Sequence, residues 1–175
     1  MTNLNNQKDR EKEFAQRVVK VSRVSKVVKG GKKISFRAIV VVGNKEQIVG
    51  VGIGKATEVG TAIKKAENNA KKLFITVPLG KGKTIPHSIL GVQGSSKVII
   101  RPAIPGTGVI AGGSVRAVLE LAGIKNILSK QLGSNNALNN ARATINGLRR
   151  LRTIKAISEH REISIEQVLG KSTMR

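Results

Sequence analysis

Residues 17–43 read RVVKVSRVSKVVKGGKKISFRAIVVVG, two valine-rich arms on either side of the Gly30-Gly31 pair. β-Branched residues flanking a glycine turn are the pattern of a β-hairpin. In the second arm Ile34, Phe36, Ala38, Val40 and Val42 share one face, with Ser35 and Arg37 on the other. Eight Lys or Arg and no Asp or Glu lie between positions 17 and 37. The valines require burial in a sheet, while the cations require a polyanion such as nucleic acid.

Working outward, Gly43-Asn44 is a turn signal, and QIVGVGI (47–53) is a third strand whose glycines allow close backbone approach. A helix is expected over 56–74, with Val59, Ile63, Ala66, Ala70 and Leu73 as its buried stripe. Lys64, Lys65, Asn68, Lys71 and Lys72 lie mostly away from that stripe. Three strands and a helix make a first domain over 14–78, preceded by a polar, flexible tail over 1–13. VPLGKGKTIP (77–86), with two prolines and two Gly-Lys pairs, places a linker at 79–85. A second, α/β domain covers 86–152: a strand at 96–100, a loop over 102–113, a helix over 114–122 ended by Gly123, and a strand at 125–132. A helix capped by Ser134 then runs to about Arg152 on Leu138, Ala141, Ile145 and Leu148. The tail, 153–175, holds one short helix with a Ser164/Gln167 capping box. The fold class is α+β.

The 175 residues contain 32 Lys and Arg against 10 Asp and Glu, a net charge of +22. Repulsion of that size is relieved by phosphates from outside. A membrane is the weaker partner, because no apolar stretch approaches the ~18 residues of a spanning helix. With no Cys and only Phe14, Phe36 and Phe74 as aromatics, thiolate metal sites and base-stacking platforms are both excluded. The protein should hold the backbone and shape of folded RNA rather than read bases. Between residues 14 and 158 the carboxylates are Glu46, Glu58, Glu67 and Glu120, too few and too scattered for acid–base catalysis. His87 and His160 are far apart in sequence and lack metal-ligand spacing, and His87 reads as an exposed, idle imidazole.

Two motifs imitate nucleotide sites. Gly54-Lys55 and Gly82-Lys83-Thr84 resemble the end of a phosphate loop, but Val49 and Val77 stand where its first glycine belongs. Gly106, Gly108 and Ala111 satisfy G-x-G-x-x-A, yet no acid follows at the ribose-binding distance. Neither supports an enzyme or a cofactor. Gly112-Gly113 opens a helix whose free N–H groups suit an RNA phosphate, with Arg116 one turn on.

RVSKVVKGGKKISFRAIVVVGN (23–44) with VGVGIGKATEV (49–59), and the long block 101–148 with the SIEQVLG tail, resemble the fifth-protein family of the bacterial-type small ribosomal subunit. That resemblance implies a first domain like the double-stranded-RNA-binding fold and a second with a left-handed βαβ crossover, where pattern alone gives the right-handed one. It implies small-subunit ribosomal RNA at the head–body junction and the fourth and eighth small-subunit proteins as partners. The path by which messenger RNA enters lies nearby, and roles in assembly and translational accuracy follow. The loop matching 24–33 reaches the RNA neck near the spectinomycin site. Carried onto this chain, that loop supplies Ser25, Lys26, Lys29, Gly30, Gly31 and Lys32. Arg17, Lys20, Arg23, Lys33, Arg37 and Lys55 complete the expected RNA contacts, with Gly112, Gly113 and Arg116 in the second domain. KQLGSNNALNNARA (130–143) and the Lys-, Ile- and Asn-rich composition favour a plastid or cyanobacterial branch. The start lacks a signal or transit peptide, so synthesis inside the plastid, with the ribosome in its stroma, is expected over a bacterial cytoplasm. The rivals are a free RNA chaperone or regulatory RNA-binding protein and, more remotely, a nucleotide-cofactor enzyme built on the Gly106 loop.

Overall fold

The structure is a computed structural model that describes residues 14–80 and 82–168. The expected tail at 1–13, Lys81 of the linker and the end of the chain from 169 lie outside the described residues. The first sheet runs β1 (Ala15–Val28), β2 (Gly31–Gly43), β3 (Ile48–Ala56) and β4 (Ile75–Thr76), all antiparallel, with α1 (Val59–Lys71) between β3 and β4. The short β4 is a fourth strand beyond the three expected. The second sheet has the order β5 (Ile89–Gln93), β6 (Ser96–Pro102), β8 (Ile127–Gly133), β7 (Val109–Ile110). Its β7 and β8 are parallel and joined through α2 (Gly113–Leu121), while α3 (Ala137–Arg149) follows β8. Two further helices, α4 (Ile154–Arg161) and α5 (Ile165–Val168), occupy the region read as a tail with one helix. In α5 the expected capping box is formed, with the Ser164 and Gln167 side chains each accepting from the other's backbone N–H.

α1 begins and ends inside the expected 56–74, and of its expected stripe Ala66 and Ala70 are buried and Ile63 is half-buried. Ala62, Ala66 and Ala70 face the sheet, whereas Val59 and Leu73 are exposed. The cause is on β3. A Cβ added at Gly50, Gly52 or Gly54 would fall 2.5, 2.0 and 2.0 Å from the carbonyl oxygens of Ala70, Ala66 and Ala62. Three glycines on the strand and three alanines on the helix bring the two backbones into contact, leaving no room for larger side chains. Asn69 fastens the helix by donating to the Ile53 carbonyl at 2.8 Å. The same device recurs in the second sheet, where a Cβ at Gly91 would meet the Ala143 carbonyl of α3 at 2.0 Å.

The other face of the first sheet is buried too. Ala38, Val40 and Val42 pack with the alanines of α1, while Ile39, Val41, Val49 and Val51 join one core with α2, α3 and β6 of the second half. The connecting segment contributes to this joint: Val77 and Ile85 are fully buried and Leu79 packs beside them. The β2–β3 turn docks on the end of α2, with Lys45 N–H donating to Leu121 O at 2.9 Å. Gly43 and Gly123 admit this approach, since a Cβ on either would lie within 2.4 Å of a backbone oxygen across the joint.

Gly52→Ala is therefore expected to destabilise the protein by about 3 kcal/mol or more through overpacking. Gly60→Ala, on α1 with nothing within 4 Å of its added Cβ, should stabilise it by about 0.5 kcal/mol. Urea midpoints of the two variants moving in opposite directions would verify the close packing; equal shifts would refute it.

Candidate nucleic-acid interface

β3 pairs with β2 only from Phe36 onward, so residues 24–35 form a two-stranded ribbon beyond the body of the sheet. Five residues of β2 beyond that point make it about 17 Å long. Here the expected burial of the valines fails. Val27 is 72% and Val28 45% exposed, because no third strand or helix covers them. Register pairing of Val28 with Gly31 leaves Lys29 and Gly30 as the turn, with φ of +97° at Gly30 and +148° at Gly31. Neither glycine has a neighbour within 4 Å of an added Cβ, so backbone conformation alone fixes their identity.

The cations recur at every third position (Arg17, Lys20, Arg23, Lys26, Lys29, Lys32), which in a strand alternates faces. An irregularity between Val18 and Lys20 resets the pattern once. Arg17, Lys20, Lys26, Lys33 and Arg37 consequently lie on the face toward the second half, with Lys55 paired opposite Arg37. Arg23, Ser25 and Lys32 lie on the α1 side. All of these side chains are exposed. A cleft of about 320 Å³ lined by Lys20, Ser22, Val24, Arg37, Ile39 and the start of α3 lies at the ribbon's root.

The run is not free of acid in space. Arg17 donates to Glu120 of α2, and Arg116 holds the same carboxylate at 2.7 Å, one turn away on that helix. Glu120 thus ties β1 to α2, a link that sequence distance concealed. Its pKa is lowered, first by the Arg116 hydrogen bond and then by the charge of Arg17, against partial burial, which acts the other way. Gly112 is the N-cap of α2 and Gly113 its first residue. They share a helix with Arg116 but not the ribbon tip, which is about 35 Å along β1 from Arg17.

The two decoys have structural roles. Gly54 lies against α1, as described. The Gly106 and Gly108 N–H groups both donate to the Asn126 Oδ1, and the Asn126 amide donates to Gly82 O at 3.0 Å. The amides a pyrophosphate would need are therefore occupied by a buried side chain. His87 is not idle: its Nε2 accepts from Arg152 N–H at 3.2 Å. Cations missed in the sequence reading line two other surfaces: Lys97, Arg101 and Lys130 on the open side of the second sheet, and Arg142 with Arg149, Arg150 and Arg152 around the end of α3.

Glu120→Gln should lower stability by less than about 1 kcal/mol at neutral pH, as expected of a solvated pair. Because the folded pKa is depressed, the stabilisation is present above the unfolded value, about 4.3, and is lost as pH falls through the folded one. Wild type and variant melting curves should converge in acid; a gap independent of pH would deny the ion pair its role.

Residues 14–78 match the family described as "Ribosomal protein S5, N-terminal domain", and residues 91–161 match "Ribosomal protein S5, C-terminal domain". The small ribosomal subunit protein uS5c of Pyropia yezoensis is 58% identical over 92% of each chain. The uS5 proteins of Trichormus variabilis and a Synechocystis species are 58% and 59% identical, covering 94% and 93% of this chain and 94% of each relative. Both halves, in order and over nearly the whole length, place this chain in the ribosomal protein S5 family.

Proposed function

We propose that this chain is a structural constituent of the small ribosomal subunit that clamps ribosomal RNA and has no catalytic role. The observation that carries the reading is the projecting ribbon. An isolated two-stranded ribbon is marginal in water, and this one exposes valines and like charges together. RNA supplies both the counter-charge and a surface to lie on. In this reading 24–33 contacts the RNA at the head–body junction, beside the path by which messenger RNA enters. Arg17, Lys20, Arg23, Lys33, Arg37 and Lys55 extend the contact toward the body, and Gly112, Gly113 and Arg116 make a second, smaller one. Assembly and decoding accuracy would depend on that placement.

Neighbouring proteins, the fourth and eighth of the subunit among them, are assigned to the second half. Its open sheet face alternates Leu90, Ile99, Leu128 and Leu132 with Lys97, Arg101 and Lys130, a mixture suited to an acidic-rimmed apolar partner. The ribosome is assigned to a plastid stroma. The uS5c proteins of Pyropia yezoensis and Porphyra purpurea, at 58% and 57% identity, accord with a plastid ribosome, and the cyanobacterial relatives, at 58–59%, are as similar.

Gly30→Asp forces an L-residue to positive φ, at a local cost of about 1–3 kcal/mol, and puts an anion at the tip. The fold should survive, because nothing packs on Gly30. The wild type should remain with small subunits through moderate-salt washing, and the variant should lose protection of the RNA neck. Recovery of the wild type only in the soluble fraction would favour a free RNA chaperone; unchanged protection in the variant would remove the ribbon from the contact.

A further inference from the structure

We infer that the end of α3 and the connector to α4 form a further RNA-backbone surface, separate from the ribbon and from the start of α2 and centred on Arg142, Arg149, Arg150 and Arg152. This inference rests on the proposed RNA partner, but it uses another part of the molecule. Between Glu120 and Glu159 the chain holds seven Lys or Arg and no carboxylate, a second acid-free run comparable with the first. Its cations near α3 are all arginines, whose planar forks match phosphate oxygens.

The geometry is built rather than loose. Arg142 and Arg149 are seven residues apart, so they share one face of α3 at about 10 Å separation. Between them Asn146 donates to Val92 O at 3.1 Å and to Gln93 Oε1 at 2.9 Å, fixing that face against β5. The two arginines, Ile145 and Asn146 line one side of a cleft of about 250 Å³; Val51, Leu73 and Ile75 of the first half are among the residues opposite. In the connector, buried Leu151 and the His87 bond to Arg152 N–H hold the backbone on which Arg150 and Arg152 stand exposed. Among the described residues no ion pair engages any of the four.

A helix C-terminus favours cations, which accounts for Arg149 and Arg150. It does not account for Arg142, two turns earlier, or for Arg152, beyond the end. An acidic protein is the competing occupant. The RNA backbone is favoured because the chain's net charge of +22 far exceeds what one acidic neighbour would balance.

The test uses the full chain and small-subunit ribosomal RNA, comparing wild type, Arg142→Gln/Arg149→Gln and the ribbon variant Lys26→Gln/Lys29→Gln across a salt series. Each double variant should reduce the log–log salt slope by roughly 1.4–1.8, at about 0.7–0.9 per phosphate lost, and their effects should add. RNA should also protect Arg142 and Arg149 of the wild type from phenylglyoxal, read by peptide mass, which needs no variant to fold. A slope changed only by the ribbon variant, with Arg142 and Arg149 still reactive, overturns this surface and leaves the proposed function standing. No salt dependence in the wild type would defeat both readings.

Discussion

Both faces of β2 and β3 are covered, and this one constraint settles where the rest of the molecule can go. On one side α1 sits so close that its alanine carbonyls nearly touch the glycines of β3. On the other, Ile39, Val41, Val49 and Val51 share a core with the second half. A sheet covered on both faces over β2 and β3 can present cations only at its ends and along its β1 edge. The ribbon is the end at which β1 and β2 outrun β3. The glycines that permit the tight packing thus determine, indirectly, where the charge is displayed.

The joint between the halves also orders the electrostatics. Glu120 collects Arg17 from β1 and Arg116 from its own helix, so one carboxylate braces two basic segments that would otherwise repel. Asn126 performs the uncharged counterpart, drawing the Gly106 loop and Gly82 together with three hydrogen bonds. Neither brace is catalytic. Each spends a polar side chain on holding loops in place, which suits a protein whose work is to keep a shape against RNA.

Much of this was legible in the sequence. The ribbon, its turn and the alternation of β2 follow from valine patterning and a glycine pair, and the capping box at Ser164 formed as spaced. The burial of the ribbon valines did not follow, since propensity for a strand says nothing about whether a neighbour covers it. The stripe on α1 held at Ala66 and Ala70 but was wrongly extended to Val59 and Leu73, and missed Ala62, because large apolar residues are the ordinary signal. The competing signal, glycines at 50, 52 and 54 matched to alanines at 62, 66 and 70, was present and pointed to backbone contact. β5 was missed because ILGVQ is short and its glycine, a weak strand former, is there to receive α3. The Glu120 brace crosses 103 positions, and no local pattern announces a pair so distant.

The central claim is that the ribbon is an RNA-seeking element that the protein body cannot satisfy by itself. A density map of the small subunit containing this chain tests it most directly. The account predicts residues 24–33 ordered against the RNA backbone, with Lys26, Lys29 and Lys32 at phosphates and Gly30 at the closest approach. A ribbon standing clear of RNA, or seated on a neighbouring protein, would contradict it.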